Sequence, residues 1–330
     1  MRLLVTGGAG FIGSNFVRYV VEKLGWRILV YDKLTYAGRL ENLQGVLDKI
    51  LFVRGDIADE ESFKKAVEEF QPDAIVNFAA ESHVDRSINE PAPFVRTNIL
   101  GIFTVLEVLR SLKCDILLLH VSTDEVYGDL WATGRDASED DALNPSSPYS
   151  ASKASGDLLI KAYGRTYGIK YRIVRPCNNY GPHQHPEKLI PRTIIRVLHG
   201  KPAVVYGDGS QIRDWLYVED TARAIITVLE KGSDGGIYNI CGNMPASVKD
   251  IITRVLRTMG MREDFIIYAK HRPGEDRRYA MKCDKVKSLG WSPQVTLDQG
   301  LKLTVDWYLG NRWWWQPLIN ESYVLADTPW

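Results

Sequence analysis

The run Val121-Ser122-Thr123-Asp124-Glu125-Val126-Tyr127-Gly128 follows the apolar stretch 116–119. It sets a hydroxyl and two adjacent carboxylates at the end of what reads as a buried strand. Two carboxylates of opposite duty, one giving a proton and one taking it, need environments that push their proton affinities apart. A lone Asp-Glu pair is otherwise a solvated pair in a loop, and on these residues alone both readings stand. Further along, Tyr149 and Lys153 are spaced so that one helix face carries both. An ammonium beside a phenol favours the phenolate and draws its pKa towards neutrality, which makes it a usable base for an alcohol proton.

A second constellation lies at the start of the chain. Thr6-Gly7-Gly8-Ala9-Gly10-Phe11-Ile12-Gly13 joins an apolar strand pattern to a helical one. Small residues there let the backbone turn tightly and approach a pyrophosphate at the helix N-terminus. Asp32 ends the next strand, about 20 residues further on, where an acid accepts hydrogen bonds from ribose hydroxyls and repels a 2′-phosphate. NAD is therefore expected rather than NADP. The plain alternative is an ordinary turn followed by a surface Asp. Asp56 and Ile57, after the third strand, either hold an adenine or are an ordinary strand end.

The elements that must position these groups alternate. Residues 2–6, 27–31, 50–53, 74–78, 116–122 and 171–175 read as strands, and 11–23, 60–70, 91–112 and 149–167 as helices, with Asp59 a candidate N-cap. Such alternation predicts an α/β fold, a Rossmann-type doubly wound parallel sheet over residues 1–176 with helices on both faces. The polar stretch 129–148 reads as a loop. Residues 177–330 carry mixed signals, with strands at 203–206, 237–240 and 265–268 and helices at 218–230, 248–259 and 297–309. They are expected to form a smaller α/β substrate-binding region, interleaved with the first or packed beside it.

The totals agree with a globular enzyme. Of 330 residues 45% are apolar, and 41 basic side chains balance 41 acidic ones. That balance argues against a nucleic-acid or membrane-surface protein. No apolar run is expected to span a membrane. The four cysteines (Cys114, Cys177, Cys241, Cys283) form no C-x-x-C pair and are read as reduced core residues, which makes the cytoplasm the expected compartment. His183 and His185 have no completing ligand at metal-site spacing, so no metal is expected. Helices 91–112 and 149–167 carry more apolar surface than one sheet face needs, and a homodimer is expected from it. Trp313-Trp314-Trp315 reads as core or subunit packing.

Taken together, the glycine turn, the strand ending in Ser122-Thr123 and the Tyr149–Lys153 pair resemble the extended short-chain dehydrogenase/reductase superfamily, over nearly the whole chain. Within it, the run 122–128 is similar to the dTDP-glucose 4,6-dehydratases. So are Asp32-Lys33-Leu34-Thr35-Tyr36-Ala37-Gly38, the stretch 79–87, Asn178-Asn179-Tyr180-Gly181-Pro182, the stretches 186–191 and 213–218, and the Trp run. The resemblance implies NAD and a nucleotide-sugar substrate, dTDP-glucose first among them, in a deoxysugar pathway such as dTDP-rhamnose biosynthesis. It also implies roles. Tyr149, helped by Lys153, takes the C4 hydroxyl proton and Thr123 hydrogen-bonds the C4 oxygen. Oxidation at C4 makes the C5 proton acidic, Glu125 removes it, and Asp124 protonates the departing C6 hydroxyl.

Carried over residue by residue, the cofactor would be lined by Gly7, Gly10, Phe11, Ile12, Gly13, Asp32, Lys33, Leu34, Thr35, Asp56 and Ile57. Phe78, Ala79, Ala80, Ser82, Thr97, Tyr149, Lys153 and Asn179 complete that set. The nucleotide sugar would meet Ser82, Thr123, Asn178, Lys188, Leu189, Val204, Tyr206, Arg213, Asp276, Arg277 and Tyr279. Arg213 with Arg277 or Arg278 suits a diphosphate, or else Arg213-Asp214 is an internal ion pair and 270–278 a solvated basic run. Two positions depart from the family pattern. Val248 stands where Asn is usual and Glu275 where His is usual, and both bear on the choice of nucleotide. A nucleotide-sugar 4-epimerase and a catalytically silent binding protein are the competing readings. The epimerase would leave Asp124 and Glu125 without a step.

Overall fold

A computed structural model describes residues 1–271, 274–319 and 321–327. Arg272 and Pro273, part of the basic run, lie outside the described residues. The strands are β1 Arg2–Thr6, β2 Arg27–Asp32, β3 Leu51–Arg54, β4 Ala74–Asn77, β5 Leu117–Val121, β6 Tyr171–Pro176, β7 Asn178–Tyr180, β8 Ala203–Tyr206, β9 Ile212–Tyr217, β10 Gly236–Ile240, β11 Pro245–Ser247 and β12 Ile266–Ala269. The helices are α1 Phe11–Tyr19, α2 Glu60–Phe70, α3 Val84–Asn89, α4 Ala92–Phe94, α5 Gly101–Leu112, α6 Pro148–Tyr167, α7 Leu189–Leu198, α8 Val218–Lys231, α9 Val248–Thr258, α10 Asp284–Ser288, α11 Leu297–Gly310 and α12 Arg312–Trp315.

Seven strands pair in parallel in the order β10-β6-β5-β4-β1-β2-β3. Leu3, Leu4 and Val5 of β1 are all fully buried, because helices cover both faces and no side of the strand meets water. Chain direction along the sheet reverses between β1 and β4, and ligands of open α/β sheets bind at such a switch point. β10 joins this sheet from far along the chain, so residues beyond 177 contribute to it. Two small sheets, β11-β9-β7 and β12-β8, carry the rest.

Local sequence explains the helices that matter most. In α2, Phe63, Ala66, Val67 and Phe70 form one buried stripe, and Asp59 accepts the Ser62 amide at 3.2 Å, as its cap position predicts. Ser147 and Ser150 form a reciprocal cap at the start of α6, Pro148 occupies its first turn, and Gly168 ends it in a left-handed conformation.

Two expectations are corrected, and the reading of the Trp run stands. Cys241 and Cys283 form a disulfide although 42 residues separate them, because the end of β10 and the approach to α10 come together in the core. The helical stretch Ala92–Leu112 is 21 residues long with mean hydropathy 1.4, so one segment does have the length and composition to cross a membrane. Half of it is buried in the protein, and α5 packs against α2 and α6. Trp314 and Trp315 are core residues, whereas Trp313 is half exposed.

Candidate active site

The glycine turn leaves β1 and enters α1. Gly7 sits at φ +66, and a side chain there would run into the Ala79 backbone. At Gly13 a Cβ would strike the Gly7 carbonyl, so α1 can start this close to the turn only with glycine at that position. Gly10 caps α1 without a side-chain bond and no acid occupies the first turn, which leaves the helix amides directed at an anion. Asp32 is buried at the end of β2 and accepts the amides of Ala9 at 2.9 Å and Leu34 at 2.8 Å. Burial raises its pKa, and those two amide bonds oppose the rise. Each carboxylate oxygen keeps a lone pair for a ribose hydroxyl. Lys33 Nζ holds Asp56 at 2.7 Å.

A cleft of about 1180 Å³, counting its open mouth, runs across these groups. Gly7, Gly10, Phe11, Ile12 and Gly13 line one part, and Asp32, Lys33, Thr35, Asp56 and Ile57 another. Phe78, Ala79, Ala80, Ser82, Thr97, Tyr149, Lys153 and Lys188 line the remainder. This set fits a dinucleotide: helix amides for the diphosphate, an acid for the ribose, and Tyr149 with Lys153 at the far end. Leu34 and Asn179 do not line the cleft. Leu34 gives its amide to Asp32, and Asn179 is tied to the Cys177 carbonyl and the Thr221 hydroxyl. The cleft also holds Tyr36, His185 and Glu187, which no site reading included. Arg86 links them, lying 4.0 Å over the Tyr36 ring and paired with Glu187 at 2.9 Å. Tyr36 sat within a matched motif, but nothing in the sequence gave it or His185 a partner.

After β5 the chain makes one short 3₁₀ turn, Asp124–Tyr127, capped by Thr123. The Thr123 hydroxyl accepts the Glu125 amide at 3.3 Å and donates to Asp124 Oδ1 at 3.1 Å. Asp124 Oδ2 is buried and has no hydrogen-bond partner among the described residues. Burial, reinforced by the Glu125 charge and opposed by Arg213, pushes the Asp124 carboxyl up to about 8. Asp124 is thus held towards its protonated form, to higher pH than an ordinary aspartate. Glu125 is less buried and lies 3.5 Å from the Tyr279 hydroxyl, which donates to Asp276 at 2.6 Å. The environments of the two neighbouring carboxylates differ in burial, as opposite duties require.

Tyr149 and Lys153 are buried on α6 beside this turn, with Thr123 in hydrogen-bonding reach of the Tyr149 hydroxyl. The expected drop in the Tyr149 pKa is absent. Burial first and the Glu125 charge second push it above its ordinary value. Lys153 gives its ammonium to the Val121 carbonyl at 2.7 Å, and burial pulls its pKa down to about 8 against the pull of Asp157.

Of the residues expected at the nucleotide sugar, Thr123, Arg213, Asp276 and Tyr279 meet at the turn. The Arg213 guanidinium lies 4.2 Å over the Tyr279 ring and donates to the Ile212 and Asp276 carbonyls. No Arg213–Asp214 ion pair forms among the described residues. Asp214 instead accepts the amides of Asn243 and Met244. Lys188 reaches the Ser82 carbonyl at 3.0 Å, and Leu189 is partly buried against the core cluster of the small sheets. Asn178 presents a buried side-chain carbonyl oxygen with no hydrogen-bond partner among the described residues. Val204 and Tyr206 lie on β8, with Tyr206 hydrogen-bonded by Arg192. Arg277 is exposed over Trp131, whereas Arg278 is bound to Asp136 and the Arg135 carbonyl. Glu275 accepts from Gln211 at 2.9 Å, and Gln211 also receives the Val248 amide on its backbone carbonyl. The two departures from the family pattern therefore meet at one residue.

The family model described as GDP-mannose 4,6 dehydratase matches residues 4–304. A dTDP-glucose 4,6-dehydratase of Xanthomonas campestris pv. campestris (strain B100) is 47% identical, over 98% of this chain and 97% of its own. Among solved structures, a dTDP-glucose 4,6-dehydratase of Streptomyces venezuelae with NAD and TYD bound has a TM-score of 0.93 and 43% identity, covering 97% of this chain and all of its own. A UDP-glucose 4-epimerase of Thermotoga maritima with UDP-glucose shares the fold at TM-score 0.87 but only 33% identity, over 94% of this chain and 99% of its own. With the paired acids on their turn and full-length identity to the dehydratases, the chain belongs to the dTDP-glucose 4,6-dehydratase family of extended short-chain dehydrogenases/reductases.

Proposed function

We propose that the chain is a dTDP-glucose 4,6-dehydratase, an NAD-dependent hydro-lyase that produces the 4-keto-6-deoxy sugar without external reductant. NAD, which the cleft lined by Gly7, Gly10, Asp32, Tyr149 and Lys153 would hold, would supply the hydride acceptor for C4 oxidation and the hydride donor for C6. The chain's own residues move protons. Tyr149 takes the proton of the C4 hydroxyl, with Thr123 hydrogen-bonding that oxygen and Lys153 adding positive charge. Glu125 takes the proton from C5, and Asp124 gives its proton to the C6 hydroxyl, which leaves as water. Arg213 and Arg277 meet the diphosphate, and residues 177–330 form the part that holds the nucleotide sugar. The observation that carries this reading is the pairing of a buried carboxyl, Asp124, with a less buried one, Glu125, on one turn beside Tyr149. A 4-epimerase has no step for that pair.

The test uses dTDP-glucose carrying deuterium at C4. The product is expected to keep that deuterium at C6, with no added NADH. Its appearance in solvent, or an epimer retaining the C6 oxygen, would overturn the assignment.

We infer that two copies pair through the helices on the β5–β6 side. Val95, Leu100 and Phe103 on one helical stretch and Leu158 and Tyr167 on α6 are exposed, a set of apolar groups that a second copy would cover. Sedimentation should give a dimer that Phe103→Glu and Leu158→Glu together convert to monomer. The cytoplasm remains the compartment we propose, for an enzyme of deoxysugar biosynthesis such as the dTDP-rhamnose route. Cys241 and Cys283 are each only 1% exposed, which shields their bond from thiol reductants there.

A further inference from the structure

Tyr127 shares the turn of Asp124 and Glu125, yet no step of the reaction uses it. Its hydroxyl is buried, accepts from Arg175 Nη1 at 2.7 Å and donates to Asn239 Oδ1 at 2.7 Å. Burial, outweighing the opposing pull of Arg175, pushes that hydroxyl up to about 12, so it stays a donor. The same Arg175 gives its Nε to Asp157 Oδ2 at 2.9 Å, and both side chains are sealed from water. Asp157 lies one turn beyond Lys153 on α6. Three side chains thus run from the acid–base turn to the helix that carries Tyr149 and Lys153.

This run belongs to a polar layer crossing the sheet near the carboxyl ends of its strands. Thr6 of β1 donates to Asn77 of β4 at 2.5 Å, and Asn77 Nδ2 donates to His120 Nδ1 of β5 at 2.9 Å. His120 is therefore left with its proton on Nε2, 3.8 Å from Asp157 Oδ1. Burial first, then the charges of Lys153 and Arg175, keeps His120 neutral. Arg175 of β6 and Asn239 of β10 complete the layer, in register with one another. An apolar layer of the same volume would avoid the desolvation of a buried Arg–Asp pair. What such a layer lacks is directional bonds that fix one element against another.

We propose that Tyr127, Arg175 and Asp157 are positioning residues, a buried clamp that fixes the turn 124–127 against the Tyr149–Lys153 face of α6. The geometry of the clamp is independent of the reaction assigned above, whereas its catalytic consequence rests on that reading. Both the C4 base and the C5/C6 pair must address one sugar, and their relative placement is what the clamp sets.

Tyr127→Phe removes the hydroxyl and keeps the ring. Its crystal structure is expected to show the turn 124–127 displaced relative to α6. Water loss from C6 should fall about 10- to 100-fold, the size of effect that sub-ångström to 1 Å misplacement produces, with KM nearly unchanged. C4 oxidation, followed in a single turnover by the nicotinamide absorbance, should fall less. Asp157→Ala removes the acceptor at the other end, and the double variant should be less than additive, as for residues of one network. A turn that stays in place in Tyr127→Phe, or a lowered thermal midpoint with the parent ratio of water loss to oxidation, overturns the clamp. If the parent protein itself removes no water from dTDP-glucose, the assigned reaction fails instead, and the displacement of the turn alone decides the clamp.

Discussion

Asp124→Asn is expected to slow loss of the C6 hydroxyl by about 10²- to 10⁴-fold while sparing C4 oxidation. The amide keeps the volume of the side chain and an oxygen to accept from Thr123, so the turn should hold. What it lacks is a proton to give. The parent enzyme should show the matching pH dependence. The Asp124 carboxyl is pushed up to about 8 by burial and the Glu125 charge, so its protonated fraction, and with it the rate of water loss, declines as pH rises through that value. Lys153, drawn down to about 8 by burial, loses its charge over the same range, so C4 oxidation weakens with it. The two are separated by single-turnover kinetics across neutral to alkaline pH, with product quantified beside the nicotinamide absorbance. In Asp124→Asn the oxidation limb should remain and the water-loss step should lose its own. Equal slowing of both steps would remove Asp124 from the role of C6 acid.

The parts of this site legible in the sequence are those whose chemistry is local. The glycines of the turn, Asp32 two elements on, and the spacing of Tyr149 and Lys153 are each set by one loop or one helix. The capping Asp59 and the buried β1 were legible for the same reason. Contacts between distant segments were not. Tyr279 meets Glu125 across 154 residues, and the Cys241–Cys283 bond closes a separation of 42. Strand β9, Ile212–Tyr217, hides because its charged Arg213 and Asp214 are buried on partners that no periodicity announces. The proton affinities were beyond reach altogether. A Tyr-Lys spacing says that two groups share a face, but burial decides the sign of the shift, and here it raises the phenol rather than lowering it.

That sign makes Tyr149→Phe the variant with the most general loss, about 10³- to 10⁴-fold in turnover, because C4 oxidation precedes every later step. Among the described residues the Lys153 ammonium donates to the Val121 carbonyl and not to the Tyr149 hydroxyl. Thr123 is the contact that favours its ionised form, and burial opposes it more strongly. Lys153, which lines the same cleft wall as Tyr149, would therefore lower the phenol only together with the positive charge that bound NAD would bring. Ultraviolet difference titration separates this from a phenol already primed by Lys153. Without NAD, the parent-minus-Tyr149→Phe spectrum should show no phenolate at neutral or mildly alkaline pH. With NAD bound, the phenolate signal should appear at lower pH, and Lys153→Met should weaken that shift without changing the NAD-free titration. A phenolate already present near neutral pH in the NAD-free protein would show that Lys153, rather than the cofactor's charge, activates the base.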